Sequence, residues 1–429
     1  MPPGPPRHWP PRRGATLVLL AAAAALVAAC SGEEEADGGA PQGATAEARA
    51  SANDAGVDHD TDRFAERPPE AGGLGGSGAD APDWPWERAA AGEDVPAEVP
   101  LEEIVEGGPP PDGIPPIDDP VLEPVEEAAD WLEPEDPVMV VEHAGEVRGY
   151  PLAILTFHEI VNDELGGEPV VVTYCPLCNS GLVFDAEIDG QVLDFGTSGR
   201  LWRSNLVMYD RDSRSLWSQF SGEAIVGDRV GQELDRLPMQ MVGFAELAER
   251  WPDAAVLSRD TGHERPYGRN PYSGYEDGDP FLFDGETDGP LAQMDRVVAA
   301  GGDEDPLAVP LERLAEDRVV RTTIADDPVA VLWAPGAASA LDDADLADGR
   351  DVGQTGVFDA RADGRELTLR PGQEDGRFVD DETGSTWTVT GEAIDGELAG
   401  TQLERRAHDD TFWFVQHAFR PETRLVDGS

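Results

Sequence analysis

One pattern occurs twice in this chain. Aligned without gaps, "DPVMVVEHAGEVRGYPLAIL" from Asp136 meets "DRVVAAGGDEDPLAVPLERL" from Asp295. "EPVVVTYCPLCNSGL" from Glu168 then meets "DPVAVLWAPGAASAL" from Asp327, and "GEAIVGDRVGQELDR" from Gly222 meets "GEAIDGELAGTQLER" from Gly391. Similarity that keeps its order through two stretches reads as one structural unit used twice. The expectation is a pair of pseudo-symmetric units, residues 118–280 and 281–424. Positions that build the unit should persist in both copies, as Pro151–Leu152 and Pro310–Leu311 do, whereas positions that carry chemistry are free to differ.

Local patterns give the expected class. "VMVVE" and "EPVVVTY" are short β-branched runs and read as strands. "GLVFDAEIDGQVLDFG" alternates around Asp189–Gly190, a hairpin signal, and "SNLVMYDRDSRSLWSQ" reads as a second hairpin. "PLAILTFHEIV" opens with Pro and has helical periodicity, and "GFAELAERWPD" is a second helix that stops before Pro252. Short, mainly antiparallel strands, hairpins and a few helices predict an α+β fold, duplicated internally.

The N-terminal part has another character. Arg12 and Arg13 precede "LVLLAAAAALVAA", too short to favour a spanning helix, and Val27-Ala28-Ala29-Cys30 matches a bacterial lipobox. Residues 1–30 therefore read as a lipoprotein signal peptide, with lipidated Cys30 anchoring the mature chain to the outer face of the cell membrane. Residues 31–113, rich in Ala, Gly, Pro, Asp and Glu, read as a disordered acidic tether that buries too little to offset its ordering entropy. Trp84-Pro85-Trp86 stands out within it as an isolated apolar spot. The formal net charge is -56, and all 31 basic residues are arginine. So acidic a chain repels nucleic acid and anionic lipid, and the membrane is the expected partner only through the lipidated Cys30.

Chemistry centres on "TYCPLCNSG". The chain has three cysteines, and Cys175 and Cys178 are spaced C-x-x-C. Such a pair serves dithiol–disulfide exchange, soft-metal ligation or a structural disulfide. A thioredoxin-like site places the pair between a strand and a helix, but "NSGLVFD" leads into a hairpin, so that fold is disfavoured. A nearby cation, His158 or Arg203, would have to activate the thiol. Two thiolates suit Cu(I) or Zn, and of His143, His158, His263, His408 and His417 the strongest third ligand is His158, in "FHEIVND". In the ungapped alignment Cys175 and Cys178 face Ala334 and Ala337, and His158 faces Asp317, so the second copy reads as a scaffold with its site erased. Asn162 and Asp163 (opposite Arg321 and Thr322), with Arg203 and Asn205, are candidate binding residues.

"RGYPLAILTFHEIVND", "PVVVTYCPLCNSGLVFD", "FGTSGRLWRSNLVMYDRDSRSLWSQFSGEAIVG" and "YGRNPYSGY" resemble the bacterial and archaeal domain of unknown function 3179. The resemblance runs from about Gly113 to Tyr275 and is faint in the second half. It implies no established activity; that some members are catalogued as selenoproteins implies redox or soft-metal chemistry at a cysteine-like position. The expected function is an exported, membrane-anchored lipoprotein whose site (Cys175, Cys178, His158) performs dithiol redox chemistry or binds copper or zinc. The alternative is a non-catalytic cell-envelope binding protein in which the pair is a structural disulfide.

Overall fold

The computed structural model describes residues 83–287 and 289–426. The expected signal peptide, Cys30 and the first part of the expected tether lie outside the described residues. The chain first forms α1 (Pro85–Ala90) and β1 (Ile104–Glu106). It continues through β2 (Pro137–His143), β3 (Glu146–Pro151), α2 (Leu152–His158), β4 (Ile160–Leu165), β5 (Glu168–Cys175) and β6 (Ser180–Asp185). Then come β7 (Phe195–Trp202), β8 (Asn205–Asp210), β9 (Leu216–Ser218), β10 (Ala224–Val226), β11 (Arg236–Leu237), β12 (Met239–Gly243) and α3 (Phe244–Arg250). The second half holds β13 (Arg296–Ala300), β14 (Leu307–Pro310), α4 (Leu311–Asp317), β15 (Val319–Ile324), β16 (Asp327–Ala334) and β17 (Gln354–Asp359), and ends with β18 (His408–Phe412) and α5 (Trp413–Phe419).

Strands take 40% and helices 15%, so the expected α+β class is corrected to a mostly β architecture of several small sheets. The cause is visible in the helices, which last only six or seven residues where labelled here and serve as corners between sheets. One sheet has the order β1-β7-β8-β9-β10, a second β11-β6-β5-β4, and a third begins β12-β2-β3. The valines of β5 explain its central place: Val170, Val171 and Val172 are each at most 1% exposed, an apolar run buried on both faces. Each such side chain contributes roughly 1.5–3 kcal/mol by burial.

The expected duplication of units is not shown by the structure. The halves share a local order, strand–strand–helix–strand–strand, and in both the helix ends on a left-handed residue, Glu159 (φ 60°) and Arg318 (φ 64°). That order does not establish a duplicated whole. The four-stranded sheet around β5 is answered by only three strands, β15-β16-β17. Nor do the halves stand apart: all described residues fall in one compact unit, and β18 packs against β6 and β12. One apolar cluster joins Cys175, Cys178, Phe184 and Trp217 to Phe412, Phe414 and Val415.

The tether expected up to residue 113 ends sooner. Trp84 and Trp86 stack at 4.7 Å, Trp84 meets Tyr209 edge-on at 4.8 Å, and Arg200 lies 4.1 Å over Trp86. β1 pairs with β7 from Ile104 against Trp202 to Glu106 against Arg200. Composition hides this because two tryptophans bury far more surface than their number suggests. Among the described residues no helix is long and apolar enough to cross a membrane.

Candidate functional site

β5 and β6 are antiparallel neighbours, with Cys175 opposite Ser180 and Thr173 opposite Leu182. The connection between them is a single 3-10 turn, Pro176–Cys178, followed by Asn179 in the left-handed region (φ 49°). Pro176 at the first position of the turn loses no hydrogen bond and fixes φ. This turn puts both cysteines at one end of the sheet. Both are free thiols, and Cys175 is 2% and Cys178 0% exposed. The two side chains are close enough for Cys175 to raise the Cys178 thiol.

A chain of amides surrounds Cys178. Asn205 Nδ2 donates to Cys178 Sγ at 3.4 Å and to Gln219 Oε1 at 2.7 Å, while Asn205 Oδ1 accepts from the Phe220 N–H at 3.0 Å. Gln219 Nε2 in turn donates to Thr173 Oγ1 at 3.0 Å and to the Ser180 carbonyl at 3.3 Å. The Asn205 amide is thus fully used and its orientation toward the sulfur is fixed. The Cys178 thiol points to the Ser204 carbonyl at 3.6 Å.

The second half closes the other side of the turn. Thr411 Oγ1 donates to the Cys178 carbonyl at 2.9 Å, and Asn179 Nδ2 to the Asp410 carbonyl at 2.8 Å. The Asp409 carboxyl accepts from Ser180 Oγ at 2.6 Å and from the Gly181 N–H at 3.2 Å. Tyr275, from the loop between the halves, donates to the Leu177 carbonyl at 3.0 Å. The second half therefore supplies a wall of the site.

Burial keeps the Cys178 thiol protonated. Burial pushes Cys178 well above the usual thiol range, Cys175 and the Asp409 charge push it further, and only the Asn205 hydrogen bond acts the other way. A three-residue turn supplies no helix dipole. Burial also holds Asp409 up to about 6. Glu159, 6% exposed and hydrogen-bonded with Tyr272, is raised to about 8 by loss of solvent. Burial, and after it the Glu159 charge, push the Tyr272 hydroxyl well above the usual phenol range.

The remaining expected residues go elsewhere. His158 Nδ1 bonds the Pro115 carbonyl at 2.7 Å and Nε2 the Tyr267 hydroxyl at 2.7 Å. A carbonyl only accepts, so Nδ1 carries the proton and Nε2 accepts from Tyr267, whose oxygen lies 2.5 Å from Thr261 Oγ1. Burial lowers His158 to about 4, which keeps it neutral, and both its nitrogens are occupied. Asn162 bridges Asp118 (2.8 Å) and the backbone of Phe195 (2.9 Å), and Asp163 pairs with Arg148 (2.6 Å) and Tyr150 (2.7 Å). These two hold strands together. Among the described residues no three His, Cys, Asp or Glu side chains come together to hold a metal ion. The structure therefore joins Cys175, Cys178 and Asn205, with Arg203 next to them in the chain, and leaves out His158, Asn162 and Asp163.

Sequence reasoning set Glu159 apart, opposite Arg318 in the second half, without giving it a role, and missed Tyr272, Tyr275, Asp409 and Thr411. Glu159 carried a signal, a carboxylate directly after an apolar helix; the others are brought in by distant parts of the chain.

The model of one family, described as a protein of unknown function (DUF3179), matches residues 111–423. The match spans both halves, which corrects the expectation that the resemblance fades after Tyr275 and agrees with a site walled by both. No curated protein and no solved structure matches the chain.

Proposed function

The chain belongs to the DUF3179 family, and from its site we propose that it presents a buried dithiol, Cys175 and Cys178, for binding a soft monovalent cation of the Cu(I) class. The observation that carries this reading is the pairing itself: two free thiols on one turn, both buried, one receiving an amide hydrogen bond. Binding replaces two S–H bonds by two metal–sulfur bonds and releases two protons. One monovalent cation offsets one of the two thiolate charges and leaves the bound pair with a net charge of one minus, the form in which two-coordinate thiolate ligation suits Cu(I). Zinc, which needs four ligands in a closed site or three and a water in an open one, is a poorer fit.

Exchange with a protein disulfide is less well supported, because it needs an exposed, activated thiolate. A second reading rests on the two free thiols meeting on one short turn. A small oxidant of the peroxide class could remove two electrons and two protons, leaving a disulfide and water. Two free thiols do not support the structural-disulfide alternative.

The setting we propose is the outer face of the cell membrane, reached through a lipidated Cys30; the mass of the mature N-terminus checks it. The site is tested by anaerobic titration of reduced protein with Cu(I) against a chromophoric Cu(I) chelator. One Cu(I) per chain is expected, lost in Cys178→Ser. Equal binding by that variant, or none by the parent, would overturn the reading.

A further inference from the structure

Cys178 is fully buried, and one piece of chain lying against its sulfur is in an unfavourable conformation. β7 and β8 pair up to Trp202 opposite Asn205, leaving a two-residue turn of Arg203 (φ 53°) and Ser204 (φ 65°). Turns of this shape strongly favour Asn-Gly, because both central residues sit in the left-handed region. Here two residues with side chains occupy it, and the Ser204 carbonyl meets Cys178 Sγ at 3.6 Å.

A single side chain pins the turn. The Arg203 guanidinium donates to the Ala418 carbonyl at the end of α5, and lies 4.6 Å over Trp202 and 5.6 Å over Phe419. It does so at the wall of an open groove of about 800 Å³, whose lining also includes Glu102, Glu103, Asp284 and Glu286. No ion pair among the described residues links Arg203 to any of these carboxylates. The guanidinium has alternative partners within its own groove, and an incoming cation would meet an acidic rim.

We propose that the Arg203–Ser204 turn is a latch over Cys178, pinned shut by the Arg203 guanidinium, and that its release admits a small soft cation from the acidic groove to the sulfurs. The use of the latch rests on the dithiol reading above; its geometry does not. The strain makes opening local, since the turn relaxes as Arg203 lets go while the sheet behind it keeps its pairing. Asn205, one residue beyond the turn, remains held by Gln219 and Phe220 and keeps its place beside the sulfur.

The test is the rate at which native, reduced protein is alkylated at Cys178 by iodoacetamide, read by mass spectrometry. Arg203→Ala is expected to react at least tenfold faster than the parent. The double variant Arg203→Asn, Ser204→Gly removes the pin but supplies the preferred turn residues, so it should also react faster with no loss of melting temperature. Rates within twofold of the parent in both variants overturn the latch. Faster alkylation in variants of a parent that binds no Cu(I) supports the latch and defeats the metal reading, so the two are separable.

Discussion

Glu159 shows how one side chain can work against the fold that holds it. It sits in the left-handed position that ends α2, where glycine is the usual choice, and its carboxyl is buried and raised to about 8 from an ordinary 4.5. A raised folded pKa means that the folded protein binds the proton more tightly than the unfolded chain. The stabilising contribution is complete below pH 4.5 and is lost as pH rises through about 8. Glu159→Gln keeps the shape and removes the titration. Its melting temperature should match the parent near pH 4.5 and exceed it at pH 8.5, measured by thermal denaturation across that range; parallel curves would contradict the assignment. The same logic separates the histidines. "FHEIVND" marked His158 as chemical, yet its burial serves a neutral link between Pro115 and Tyr267. Sequence spacing cannot show which nitrogen meets which partner.

Among the elements, hairpins carry most of the information that was legible. "SNLVMYDRDSRSLWSQ" forms β8 and β9, joined by a loop organised on Asp210. Asp210 accepts from the Ser213 N–H (2.7 Å), Ser213 Oγ (2.7 Å) and the Trp217 indole (3.0 Å). Asp380 in the second half does the same for Thr383 and, at 2.9 Å, Trp387. Alternation and turn residues located the Asp210 hairpin because both signals are local; its counterpart at Asp380 was not predicted. Asp210→Ala leaves a buried indole N–H without a partner, and should cost about 3 kcal/mol, read as a lowered urea midpoint with unchanged slope. A midpoint within the error of the parent would show that water replaces the carboxylate. The turn at Arg203 is the opposite case: its residues break the local rule, at about 1–2 kcal/mol each, for reasons that lie in α5.

The molecule as a whole was the least legible. Comparing the halves suggested a working unit and an inert one, because similarity in sequence reports local structure and says nothing about packing. In the structure the halves share one apolar cluster, and Asp409, Asp410 and Thr411 of β18 grip the cysteine turn from more than 200 residues away. The cysteine pair itself was legible, since the chain keeps only two thiols in its described part and spaces them three apart. The missing histidine was not, because ligand sets are made by topology. This contrast leads to one decisive spectrum, X-ray absorption at the copper edge of protein loaded with one Cu(I). Two sulfur neighbours and no imidazole nitrogen are predicted. A shell containing nitrogen from histidine, or lacking sulfur, would contradict the dithiol site.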